Sequence, residues 1–155
     1  MHSHTIHTPH ADIRALLNRD HARLDDLFIA LGEAFKANAR EDAARLWTEL
    51  DAGLEAHFRL EETQILPHLA QVDPAEAEAL AREHGEIRAK LAELGPAVDL
   101  HLLRDVIVDE LISKLRIHAR REDGLMYRWS ETHLSEHARS SIAARLGDPS
   151  PRTPK

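Results

Sequence analysis

Apolar residues recur at every third or fourth position through four long segments, and this periodicity constrains the fold more than any other feature of the chain. The segments extend over residues 13–35, 38–65, 73–91 and 99–126. Strand-like alternation does not occur, and six of the seven prolines fall outside the segments. Four amphipathic helices with short connections predict an all-α fold, an antiparallel up-down-up-down four-helix bundle with a short extra C-terminal helix near residues 135–146.

Capping residues and prolines predict where these helices begin and end. The predicted boundaries are a start at Thr8-Pro9, a capping box at residues 38–41, an end or kink at Pro67, a start at residues 73–76, a stop at Gly95-Pro96 and a start near Asp99. At 155 residues the chain fits one domain. We expect this domain to occupy residues 11–146, between a His-rich N-terminal tail (1–10) and a disordered, proline-rich C-terminal tail (147–155).

The composition argues against several classes of function. The formal net charge of -7 argues against a nucleic-acid partner, because no basic face is available to neutralise phosphates. Cysteine is absent, which excludes disulfides, iron–sulfur clusters and thiol catalysis from the chain itself. No apolar run approaches the ~18 residues that span a bilayer, so we expect no membrane association and a cytoplasmic location.

One pattern of histidine and glutamate occurs twice. His57 precedes Glu61 by four residues, His118 precedes Glu122 by four, and each glutamate is followed by a second acid. Positions i and i+4 lie on one face of a helix, so each imidazole and its carboxylate can hold the same metal ion. We interpret the two copies as halves of one metal site.

Each predicted long helix carries one histidine within its apolar stripe, and two of the helices also carry a glutamate there. The candidate ligands are His21, His57, Glu61, His84, His118 and Glu122. Burying these groups alone would be costly, whereas two divalent cations would compensate them. Mixed imidazole and carboxylate ligands suit iron, manganese, zinc or copper better than calcium or magnesium. The Glu-x-x-His spacing of ferritin-like bundles is absent.

The order of one histidine, His-x-x-x-Glu, one histidine and His-x-x-x-Glu resembles the hemerythrin-like, or HHE cation-binding, domains of the bacterial type with two such motifs. Residues 20–28 (Asp-His-Ala-Arg-Leu-Asp-Asp-Leu-Phe) and 82–84 (Arg-Glu-His) are similar to that family as well. The resemblance covers residues 13–129. It implies a non-haem centre of two iron ions bridged by Glu61 and Glu122, with an oxo or hydroxo bridge when oxidised.

The chain departs from the oxygen-carrying hemerythrins at two positions. Their third helix supplies His-x-x-x-His, whereas the second of these positions is Arg88 here. Their last motif is His-x-x-x-x-Asp, which Asp123 would satisfy, although the symmetry with Glu61 favours Glu122. Loss of the third-helix histidine leaves exchangeable metal positions, which favours turnover of O2, hydrogen peroxide or nitric oxide, including catalase- or peroxidase-like activity, over reversible oxygen carriage.

Other side chains near the predicted site leave alternatives open. Arg88 either pairs with a carboxylate in the cavity or, as we favour, extends outward. Tyr127 would fill a ligand position as phenolate, but its angle is poor five residues after Glu122 on an α-helix. The remaining expectations are Glu62 and Asp123 as acceptors for imidazole N–H groups, Glu83 on a solvated face, Leu54, Phe58, Ile87 and Leu115 as apolar walls, and His133 and His137 on the surface.

Three functions remain open from the sequence. The first is a di-iron protein that binds or turns over small oxidants. The second is an iron- or oxygen-sensing module without turnover, although we expect no fused output domain. The third is a structural or storage protein that holds zinc or a single metal. The electron donor and the oligomeric state are not encoded in any recognisable motif.

Overall fold

The computed structural model describes residues 12–99 and 101–147, and every regular element in these two stretches is helical. The elements are α1 (Ile13–Lys36), α2 (Arg40–Gln64), α3 (Leu66–Val72), α4 (Pro74–Asp99), α5 (Asp105–Arg121), a π-helical segment (Glu122–Tyr127), α6 (Arg128–His133) and α7 (Glu136–Leu146). The predicted all-α class is therefore confirmed. The predicted N-terminal tail (1–10) lies outside the described residues, and so does the predicted C-terminal tail (147–155) except for Gly147, which caps the end of α7.

Four of these helices are long, and their contacts follow the predicted stripes. Helix α1 packs against α2 and α5, and α2 packs against α4. The short α7 packs against α1 and α2. None of the helices in the described stretches combines the length and the apolar character that a bilayer crossing requires.

The apolar core is divided into two clusters by a polar layer. One cluster contains Leu24, Leu54, Ile87 and Leu115 among its buried side chains. The other contains Leu17, Leu60, Leu80 and Met126. Along α1, α2 and α4, and along α5 with the π-helical segment that continues it, the inward histidine lies between a residue of the first cluster and a residue of the second. The histidines are therefore held at one level of the fold, with packed apolar side chains on both sides.

Several predicted boundaries are confirmed by their capping contacts. The Asp73 carboxylate accepts a hydrogen bond from the backbone N–H of Glu76 at 3.2 Å, at the start of α4. The Ser135 hydroxyl caps α7 by accepting from the N–H of Ala138 at 3.2 Å. Helix α2 ends at Gln64, and the proline at position 67 falls in the first turn of α3. Proline is tolerated there because its missing N–H would have had no helical partner.

The predicted capping box at residues 38–41 is wrong, because Asn38 ends α1 instead of starting α2. Asn38 has φ 54°, in the left-handed region that closes many helices. The N–H of Ala39 bonds the carbonyl of Ala34 at 2.9 Å, and the N–H of Asn38 bonds that of Phe35 at 3.1 Å. This pair of bonds is a Schellman motif. Ala39 then stands at the start of α2 without a side-chain cap.

Three other predicted boundaries lie elsewhere. Helix α4 continues through Pro96 to Asp99, because the buried Leu94 and Val98 hold its last turn against the core. The chain reverses at His101, which has φ 57°, and α5 begins at Asp105 instead of near Asp99. At the other end, α1 begins at Ile13, where the Asp12 side chain accepts from the N–H of Ala15. Thr8 and Pro9, the predicted start, lie outside the described residues.

Candidate metal centre

The six residues predicted as ligands converge in the polar layer between the two core clusters. Glu61, His84 and Glu122 are fully buried, and His57 and His118 are 2% and 5% exposed. Their nitrogen and oxygen atoms form two overlapping groups, and within each group the atoms lie within 4.8 Å of one another. The groups are His21, His57, Glu61 and Glu122, and His84, His118 and Glu122.

Glu122 belongs to both groups because its two carboxylate oxygens point to different histidine pairs. Oε1 lies 3.2 Å from Nε2 of His21 and 3.9 Å from Nε2 of His57. Oε2 lies 3.2 Å from Nε2 of His84 and 3.3 Å from Nε2 of His118. A carboxylate divided in this way between two imidazole pairs has the arrangement that bridges two cations.

Glu61 approaches the same space from α2. Its Oε1 lies 3.3 Å from Nε2 of His57 and 3.4 Å from Nε2 of His84. Neither carboxylate oxygen of Glu61 has a hydrogen-bond partner with suitable geometry among the described residues, and the same holds for Nε2 of His118. Buried polar atoms without partners are costly. Cation ligation would satisfy all three, so these residues fit a metal centre.

The pKa values of the buried groups in the metal-free centre also fit a site that binds cations. Burial alone lowers the pKa of His84, but its contacts with the carboxylates of Glu122 and Glu61, and the charges of both, raise it to about 10. Burial likewise lowers the pKa of His57, but the Glu61 charge and hydrogen bonds to carboxylates raise it well above its usual value. Burial raises the pKa of Glu122, yet its contacts with four histidines hold that pKa well below its usual range. Protons therefore balance the buried carboxylates where cations would otherwise do so.

Three of the histidines are oriented by a carboxylate at Nδ1. Asp20 lies 2.6 Å from Nδ1 of His57. Glu62 lies 3.1 Å from Nδ1 of His84, and Glu83 lies 3.0 Å from Nδ1 of His118. An N–H donated from Nδ1 to a carboxylate fixes the tautomer in which Nε2 carries a lone pair for metal. The three Nε2 atoms all face the shared carboxylates.

These contacts confirm one expected acceptor, correct two and add another. Glu62 accepts from a histidine as predicted, whereas Glu83 was wrongly expected on a solvated face. Asp123 does not contact a histidine; it accepts from Arg14 Nε at 3.1 Å and from the Asn18 amide at 3.0 Å. Asp20 was missed, although its position directly before His21 was a usable signal. Each of the three acceptors is a chain neighbour of one candidate ligand and binds a histidine on the next helix.

Arg88, at the position of the missing third-helix histidine, does not extend outward as we favoured. Its guanidinium donates to Glu55 at 2.8 Å and to both oxygens of Glu62 at 2.7 Å. It also lies over the ring of Phe58, with 5.4 Å between its Cζ and the ring centroid. The pairing with a carboxylate that the alternative predicted is therefore observed, but Arg88 does not line the cavity beside the candidate ligands. Arg88 supports Glu62, which in turn contacts His84.

Tyr127 lies inside the centre, contrary to the expectation that its angle would be poor. Its hydroxyl is 2.8 Å from Nε2 of His21 and 2.9 Å from Nε2 of His57. The reason is the π-helical segment Glu122–Tyr127, in which backbone bonds join residues five apart. Burial and the charges of Glu61 and Glu122 raise the pKa of Tyr127 well above its usual value.

Apolar and aromatic side chains enclose the centre. Phe58 stacks on His84, with ring centroids 4.2 Å apart. A cavity of about 20 Å³ is lined by several of the candidate ligands and by apolar residues that include Leu54, Phe58 and Leu115, three of the predicted walls. The fourth predicted wall residue, Ile87, is fully buried in the same core cluster. A volume of this size holds about one water-sized molecule.

The other histidines of the described stretches lie away from the centre. His133 and His137 are exposed, as predicted, and the His133 ring stacks on Trp129 with 5.4 Å between centroids. His68 and His101 are exposed as well. The centre therefore draws on one histidine from each long helix.

One of three comparisons with known proteins identifies a family for this chain. Searches among curated proteins and among solved structures gave no match. The family described as the hemerythrin HHE cation binding domain matches residues 2–129, which is most of the chain and includes all six candidate ligands. The chain belongs to the hemerythrin HHE cation-binding domain family.

Proposed function

We propose that this chain is a non-haem di-iron protein that binds or turns over small oxidants, namely O2, hydrogen peroxide or nitric oxide. The observation that carries the proposal is the position of Glu122, whose two carboxylate oxygens each lie 3.2 Å from a histidine of a different pair. One cation would be held by His21 and His57, and the other by His84 and His118. Glu61 and Glu122 would be shared between them, in an antiparallel bundle of α1, α2, α4 and α5.

Iron would supply the electron-transfer chemistry toward the oxidant, as cofactors do in such sites. The protein would supply ligands in a fixed orientation, because three imidazoles are held by a carboxylate at Nδ1. These carboxylates belong to Asp20, Glu62 and Glu83. Mixed nitrogen and oxygen ligands favour a transition metal over calcium or magnesium.

The enclosure supports a small reactant over a large substrate. The cavity beside the ligands has a volume of about 20 Å³ and mostly apolar walls. Such walls keep bulk water away from the reacting atoms and strengthen the electrostatic interactions inside. A diatomic molecule or a peroxide fits a space of this size, whereas an organic substrate does not.

Metal analysis of aerobically purified protein, combined with an ultraviolet–visible spectrum, tests the proposal. We expect two irons per chain and near-ultraviolet bands of an oxo-bridged pair. Colourless protein that holds one zinc would overturn the proposal.

Added hydrogen peroxide then distinguishes turnover from binding. Iron-loaded protein that evolves oxygen or consumes peroxide repeatedly is an enzyme, whereas protein that bleaches once is a binding or sensing module. The Glu61→Ala variant should lose both responses, because a shared ligand is removed. A His137→Ala variant, changed only at an exposed histidine, should retain them.

A further inference from the structure

The six candidate ligands do not account for one buried polar group in the centre, the hydroxyl of Tyr127. The side chain is fully buried. Its oxygen lies 2.8 Å from Nε2 of His21 and 2.9 Å from Nε2 of His57, the two atoms that would hold one of the cations. The ring also stacks on that of His21, with centroids 5.0 Å apart. Tyr127 is thus packed against one half of the centre only.

Metal binding changes what this hydroxyl can contact. A histidine ligand must present an unprotonated nitrogen to the cation. Once His21 and His57 do so, both Nε2 atoms are directed at the metal and neither can donate to or accept from the phenol. A buried hydroxyl that loses both partners carries the cost of an unsatisfied polar group. Ligation by the phenolic oxygen removes that cost.

The local backbone conformation also indicates a functional role for Tyr127. On a regular α-helix, five residues advance the direction of a side chain by about 500°, which would turn Tyr127 about 140° away from Glu122. The π-helical segment Glu122–Tyr127 absorbs this difference and brings both side chains to the same space. Single turns of π-helix are uncommon and are frequently found at functional sites.

We propose that Tyr127 is a further metal ligand, binding through its phenolic oxygen to the cation held by His21 and His57. This inference rests on the proposed di-iron function. As the metal–oxygen bond forms, the O–H bond breaks and the proton passes to solvent. The two metal positions are then unequal, because no tyrosine lies beside His84 and His118 in the described residues.

The chain offers a direct test, because Tyr127 is its only tyrosine. Iron-loaded protein should show a visible charge-transfer band from phenolate to iron. Resonance Raman excitation in that band should show ring modes that shift when the protein is grown with ring-deuterated tyrosine. This measurement needs no variant, so a change in folding cannot obscure it. Two irons per chain without these modes would overturn the inference and leave the di-iron proposal intact.

The Tyr127→Phe variant provides the second measurement, with the metal content as its reference. We expect it to keep two irons per chain and to lose the visible band. An unchanged spectrum at full iron content would mean that the hydroxyl only donates a hydrogen bond, for example to Glu61, and would overturn the inference. Wild-type protein that binds fewer than two irons would instead contradict the proposed function, so the two failures are distinguishable.

Discussion

Asp20 directly precedes His21 on α1, yet its carboxylate holds the histidine of the neighbouring helix, with 2.6 Å between its Oδ2 and Nδ1 of His57. The same relation recurs twice. Glu62, next to Glu61 on α2, contacts His84 on α4, and Glu83 on α4 contacts His118 on α5. A residue beside an inward ligand is rotated by about 100° on the helix and so faces the adjacent helix. One helix therefore supplies both a ligand and the support for the next ligand.

The Asp20→Asn variant tests this support. The amide keeps the size of the side chain but loses the charge that holds the Nδ1 proton of His57, so the imidazole is free to change its tautomer. We predict an affinity for iron about 10- to 100-fold lower, the range found when an outer partner of a metal-binding histidine is removed. Competition with a chelator measures this change. Asp26→Asn, at an exposed position on the same helix, should leave the affinity unchanged.

Removal of Glu61 should affect metal content directly. Both of its oxygens are buried and have no hydrogen-bond partner among the described residues, so their interaction with the cations has no substitute. We predict that Glu61→Ala binds at most one iron per chain and is stabilised less by metal than the wild type, because metal binding adds to the free energy of unfolding. Elemental analysis and thermal unfolding with and without iron measure both effects. The control is Glu49→Ala, at an exposed position of α2; full iron occupancy in Glu61→Ala would show that Glu61 is not a ligand.

Arg88 is predicted to contribute to stability and not to ligation. It pairs with Glu55 and Glu62 at a site where its side chain is 33% exposed. Arg88→Gln should therefore lower the free energy of unfolding by about 0.5–1 kcal/mol, typical of partly exposed ion pairs. It should retain two irons, with a smaller loss of affinity than Asp20→Asn. Chemical denaturation and metal analysis measure these quantities, and Lys90→Gln, which disrupts a surface pair, serves as the control. Loss of an iron in Arg88→Gln would contradict this prediction and show that Arg88 is required for metal binding.

The helical stripes and the six candidate ligands were predictable because both depend on spacing within one helix. A histidine at an inward position of each stripe must face the core if the helix forms at all. The ends of the helices were less predictable, since tertiary contacts decide them. The Gly95-Pro96 pair would end an isolated helix, but α4 continues to Asp99. Burial of Leu94 and Val98 in the core outweighs the local preference of glycine and proline for ending a helix.

Sequence reasoning missed the role of Asp20 and disfavoured Tyr127, because the first depends on two helices and the second on a departure from regular helical geometry. The partnership of Asp20 with His57 requires the rotation of α1 relative to α2, which no spacing within either helix defines. The position of Tyr127 requires a π-helical segment. The rotation of about 100° per residue that predicts side-chain direction on an α-helix does not apply in such a segment. Gly124, which lies inside this segment, gives no distinctive signal for it.

The last prediction concerns the competition between protons and metal ions for the histidine nitrogens of the centre. In the metal-free protein the pKa of His84 is about 10, because Glu122 and Glu61 favour its charged form more than burial opposes it. At neutral pH this imidazole therefore carries a proton that metal must displace, and the raised pKa values of His57 and His118 have the same consequence. Affinity should rise with pH, by about tenfold per unit for each proton displaced, and level off only above the pKa of the metal-free groups. Anaerobic titration with Fe(II) at several pH values, in weakly buffered solution with an indicator dye, measures affinity and released protons together. Affinity that does not change with pH, with no proton release, would contradict the charge state inferred for the metal-free centre.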